Sequence, residues 1–250
     1  MLDFAGFTLS YLQIMLLACV AILSGMGKAG LYGAGLISVP LMAFAFGGKD
    51  STGILLLLLI IADIFAVIIY RRDANWVFLR QLLPSACAGI VFATIVGAAI
   101  DDQTFQRAMA IVIVVCVVLM VVQELRNSNF VPSWPGFASS MGIVGGFTSM
   151  IGNLGAPVLA LYFLAMRVPK REFLGTAAWF FLSVNLIKVP FHVYAWHTIN
   201  FNTVILSLSF LPLIGLGVYL ATWLVRYINE VYFRRFVIMM TLLSAVVLLK

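Results

Sequence analysis

The chain has 250 residues, 64% of them hydrophobic and only 10% charged, with a mean hydropathy of +1.13. That composition excludes an ordinary soluble domain, in which about a quarter of the residues are charged. Fifteen basic residues against nine acidic ones give a net charge of +6, which in so apolar a chain reads as loop charge at a membrane surface and not as a nucleic-acid footprint.

The first apolar run, about residues 8 to 24, follows Asp3 and no basic n-region, so it is expected to be a mature span and not a cleaved signal. It ends in SGMGKAGLYGAG, residues 24–35, where five glycines surround Lys28. Further runs follow at about 32–46, 53–70, 77–99 and 105–123. The longest polar interruption, RNSNFVPSWPG at 126–136, precedes another five runs at about 137–149, 154–166, 173–194, 202–225 and 231–249. Runs of this length suit membrane helices, and none shows the alternation of a β-barrel strand.

The two halves repeat each other. An offset of 122 pairs Gly30 with Gly152, Gly33 with Gly155, Gly53 with Gly175 and Asp63 with Asn185; an offset of 128 later pairs Pro84 with Pro212 and Gly89 with Gly217. Five segments per half make the second copy enter the bilayer from the opposite face. The expected fold is therefore an all-α integral membrane protein of two inverted repeats, 1–125 and 137–250, joined by a cytoplasmic linker at 126–136. Segments 1/2 and 6/7 can be full spans or re-entrant helical hairpins; both preserve the orientation.

Charge sets that orientation. Arg71, Arg72, Arg80, Arg126, Arg167, Lys170, Arg171, Arg226, Arg234 and Arg235 fall on one side, against Lys49, Arg107 and Lys250 on the other. The positive-inside rule then puts both termini outside.

Lys28 and Lys188 remain, and each costs roughly 2.5–3.5 kcal/mol at the centre of a membrane helix unless compensated. Lys28 is expected in the glycine-rich break, with a short extramembrane turn as the plain alternative. Lys188 lies within segment 8, where a structural pair with Asp63 is the plain alternative. Asn185, Lys188 and His192 are spaced three and four apart and share one helix face, beside Pro190, which cannot donate to the Leu186 carbonyl and is expected to leave a kink or a free acceptor. Gly30, Gly33, Asn153 and Gly155 belong to the two Gly-rich breaks, whose free N–H groups and helix ends can form an anion site; for the glycines alone, close helix packing explains as much. Substrate binding is thus expected at Lys28, Gly30, Gly33, Asn153, Gly155, Asn185 and Lys188, with Asp63 and His192 as coupling or charge partners. No residues assemble a catalytic set, a metal site or a phosphate loop, so neither cofactor nor enzyme activity is expected.

SGMGKAGLYGAGLISVPLM in the first half, and TSMIGNLGAPVLALYFL followed by KREFLGTAAWFFLSVNLIKVPFHVY in the second, resemble the TauE/SafE family of sulfite and organosulfonate exporters. The resemblance runs over nearly the whole chain, although Ala156 stands where a glycine is common in the family. It implies a carrier in a bacterial-type inner membrane that moves a small sulfur-containing anion outward around a central site. Sulfite, sulfoacetate, another sulfonate and a carboxylate all stay open as the substrate. A passive anion channel and a non-transporting scaffold are the rival readings, and the expected partners are the small anion, the lipid bilayer and a second copy in a homodimer.

Overall fold

The computed structural model describes residues 2–4, 6–31, 34–101 and 136–229, together with isolated positions between 103 and 134 and between 232 and 239. Gly33, Cys116, most of the 126–136 linker and nearly all of the tenth segment lie outside the described residues.

The described residues are predominantly helical, as an all-α membrane protein requires, with one short N-terminal hairpin added. Strands β1 (Leu2–Phe4) and β2 (Phe7–Leu9) pair antiparallel with Phe4 opposite Phe7, and Gly6 supplies the positive φ of the tight turn. Ser10 then caps helix α1 (Tyr11–Lys28) through a reciprocal box with Gln13. A single 3₁₀ turn (Ala34–Ile37) leads into α2 (Ser38–Phe46), which is followed by α3 (Gly48–Tyr70) and α4 (Trp76–Ala99). In the second half come α5 (Phe137–Gly152), α6 (Gly155–Ala165), α7 (Lys170–Tyr194), α8 (Phe201–Ser209) and α9 (Leu211–Val225).

Among the described residues, α1, α3, α4 and α7 are long and apolar enough to cross a membrane, and the pair α8–α9 makes a fifth candidate span. The ninth segment, expected as one continuous run, bends by 48° between α8 and α9. Pro212 in the first turn of α9 is the cause, because its missing N–H and fixed φ suit a helix start and not a helix interior. By contrast α7 continues through Pro190. Apolar side chains such as Phe44, Ile68, Phe92 and Trp223 point outward, as expected where hydrocarbon replaces water.

Close backbone contact holds the bundle together. α1 lies along α9, α4 along α5, and α3 along α7. A β-carbon on Gly25 would strike the carbonyl of Ile214, and one on Gly217 the carbonyl of Ile22. Gly89 meets Ile143 and Gly146 meets Ala86 in the same way at the α4–α5 crossing. Because lipid tails are as apolar as leucine, helices in a membrane associate through such packing, and glycine permits it.

Candidate functional site

Lys28 is the last residue of α1, not part of an unwound break: Gly25 and Gly27 lie inside the helix, and the cap N–H of Ala29 returns to the Gly25 carbonyl. A cation at a helix C-terminus faces the negative end of the dipole. The Lys28 Nζ sits 2.9 Å from Oδ1 of Asp63 in the middle of α3 and 4.0 Å above the ring of Phe181 on α7. Asp63 is fully buried, so its pairing with Lys28 replaces the plain alternative in which Lys188 was its partner. The other carboxylate oxygen accepts a 2.6 Å hydrogen bond from Nδ2 of Asn185. The two positions matched by the 122-residue offset therefore touch.

Asn185, Lys188 and His192 do share the inward face of α7, and all three are buried. Lys188 Nζ donates to the Ser149 carbonyl at 2.9 Å, to Asn153 Oδ1 at 2.6 Å and to Asn185 Oδ1 at 3.0 Å, with Ser149 Oγ at 3.2 Å. Asn153 reaches it because α5 ends there in a left-handed residue, φ 59° and ψ 28°, a conformation asparagine tolerates better than most side chains. Its Nδ2 donates to the carbonyl of Thr52 on α3. Ser149 and Thr52 were not foreseen; both contribute backbone carbonyls, which leave no trace in side-chain pattern. His192 stands apart from this cluster, with Nδ1 2.7 Å from Thr198 Oγ1 and Nε2 without a partner among the described residues.

Beside the cluster is a cavity of about 40 Å³, more than the ~10–15 Å³ that holds one water. Its lining includes the polar Lys28, Asn153, Asn185 and Ser149 and the apolar Leu36, Val39 and Leu59. Of the expected substrate ligands among the described residues, Lys28, Asn153 and Asn185 border the cavity. Lys188 lies immediately behind its amide and serine neighbours. Gly30 has φ +124°, a backbone conformation that favours glycine, and packs against Val225. Gly155 opens α6 under Ser149 and Phe181, where an added β-carbon would come within 3.0 Å of Ser149 Cβ and 3.2 Å of the ring. Gly27, not singled out from sequence, meets Gly35 across the first hairpin and lines the cavity.

A buried lysine, a partly buried one and a buried aspartate around a small chamber, inside a bundle whose outer face is apolar, define a multi-pass membrane protein with a polar interior site. Across residues 14–248 the chain matches the family described as sulfite exporter TauE/SafE, and it belongs to that family. No curated protein and no solved structure gives a significant match.

Proposed function

We propose that the chain is a secondary transporter that exports a small sulfur-containing anion, sulfite, sulfoacetate or a related organosulfonate, by alternating access around the chamber. The observation that carries this reading is an ammonium, Lys28, on the wall of an interior cavity, backed by a second ammonium-bearing residue and by amide groups. The family assignment supplies the substrate class.

Alternating access needs two related halves, and the helix pairings support that reading. The 122- and 128-residue offsets bring α1 onto α5, α3 onto α7 and α4 onto α9. The α1–α9 crossing then becomes the α5–α4 crossing, with Gly217 and Gly89 in corresponding contacts. A carrier is favoured over a channel because the cation on the cavity wall is closed by Asp63, and this pair must loosen before the cation can hold a substrate fully. The orientation is the bacterial-type inner membrane with both termini outside; in its support Lys170, Arg171 and Arg226 line one cleft with Tyr70 and Asp73, beside the Arg71–Arg72 turn.

The test is counterflow of labelled sulfite or sulfoacetate in proteoliposomes. Saturable exchange that Lys28→Gln abolishes is expected. Flux that never saturates would establish the channel instead, and a folded native protein that moves no such anion would sink the proposal.

A further inference from the structure

We infer that the chamber takes a monoanion, such as a small alkyl sulfonate or a singly charged sulfur oxyanion, and that the aspartate-to-asparagine difference between positions 63 and 185 sets this choice. The inference rests on the anion-site reading above and names the charge of its ligand: among the candidate substrates it selects hydrogen sulfite or a simple sulfonate over sulfoacetate, which is a dianion at neutral pH.

The hydrogen-bond inventory fixes the charges. Asn185 spends Nδ2 on Asp63 and Asn153 spends Nδ2 on the Thr52 carbonyl, so both amide oxygens face Lys188 as acceptors. The Ser149 carbonyl can only accept. Three accept-only oxygens around one Nζ call for three N–H donors, which is the ammonium form of lysine. Lys28 is a second ammonium, paired with the Asp63 carboxylate. His192 counts as neutral: among the described residues Thr198 is its one side-chain hydrogen-bond partner, and an imidazolium would leave a charged N–H with no acceptor there.

Among the described residues the chamber therefore carries two positive charges and one negative. Position 185 corresponds to position 63 under the 122-residue offset, and a carboxylate at both would bring the sum to zero. The amide at 185 keeps the hydrogen bond and omits the charge. An unbalanced charge is costly in a low-dielectric interior. One negative charge seated beside Lys28 neutralises the chamber, whereas a dianion would leave it as unbalanced as before, with the sign reversed. Leu36, Val39 and Leu59 in the same lining suit a small apolar substituent on that anion.

The experiment measures equilibrium binding of methanesulfonate, a fixed monoanion, and sulfate, a dianion, to purified protein at neutral pH. Native protein should prefer methanesulfonate by at least about tenfold, a modest demand for one unit charge at close range. Asn185→Asp makes the chamber neutral and should lower methanesulfonate affinity by about tenfold or more. Asp63→Asn raises the sum by one and should move the preference toward sulfate. Should that variant fail to fold, Lys28→Gln combined with Asp63→Asn restores the native sum and should keep the methanesulfonate preference even with weaker binding. Equal or tighter sulfate binding by native protein, or native methanesulfonate affinity in folded Asn185→Asp, would overturn the inference alone. Native protein that binds neither probe nor sulfite removes the anion-site reading and this inference with it.

Discussion

Replacing Lys28 with methionine tests the ion pair at the chamber directly. The Asp63 carboxylate has no solvent exposure, and among the described residues its Oδ1 has no partner but Lys28, while Oδ2 keeps the bond from Asn185. Lys28→Met fills the same space over Phe181 and strands a buried charge, for which the cost of breaking a buried pair is about 3–5 kcal/mol. Adding Asp63→Asn removes the stranded charge and leaves the loss of roughly one hydrogen bond, about 1 kcal/mol. The double variant should therefore be more stable than Lys28→Met by about 2–4 kcal/mol, and the non-additivity of the two substitutions measures their coupling. Equilibrium unfolding in mixed micelles, followed for native, both single and double variants, supplies the cycle. A double variant no more stable than Lys28→Met, or a Lys28→Met protein within about 0.5 kcal/mol of native, would refute the argument that this pair is held together by charge.

Two glycines of α9 should respond oppositely: Gly217→Leu drives into the Ile22 carbonyl and should prevent a monodisperse folded product, while Gly215→Leu, with open space around it, should be recovered like the native protein. Topology is tested by single-cysteine labelling after removal of Cys19, Cys87 and Cys116; an impermeant reagent on intact cells should reach Leu2→Cys and spare Arg72→Cys, and the reverse pattern would invert the assignment. Outside the spans, the Thr104 hydroxyl and backbone N–H hold the exposed Asp101 carboxyl below its usual range. Because its folded value is depressed, the cap contributes at neutral pH and is lost only as acid takes pH down through that value. Thr104→Val should shift the Asp101 titration upward by NMR, and an unchanged titration would discard the hydroxyl as its cause.

Hydropathy alone determined that this chain enters a membrane as helices, because hydrocarbon leaves backbone groups no other way to be satisfied across a long apolar run. The three–four spacing of Asn185, Lys188 and His192 likewise determined their common face, since helical periodicity is a local property. The correspondence of Asp63 with Asn185 was legible too, although nothing in an offset says that the two side chains touch. The tertiary structure decided which lysine Asp63 pairs with. Helix periodicity orients a side chain about its own axis, but the rotation of α1, α3 and α7 relative to one another depends on where Gly25, Gly217 and Gly175 let backbones close. That packing set Lys28 against Asp63 and the cavity, and surrounded Lys188 with carbonyl oxygens from Ser149, Asn153 and Asn185. Ser149 accepts through its backbone carbonyl, which carries no residue identity, and the Asn153 and Asn185 amides converge on Lys188 only through that packing, so its surroundings could be recognised only once the chain was folded.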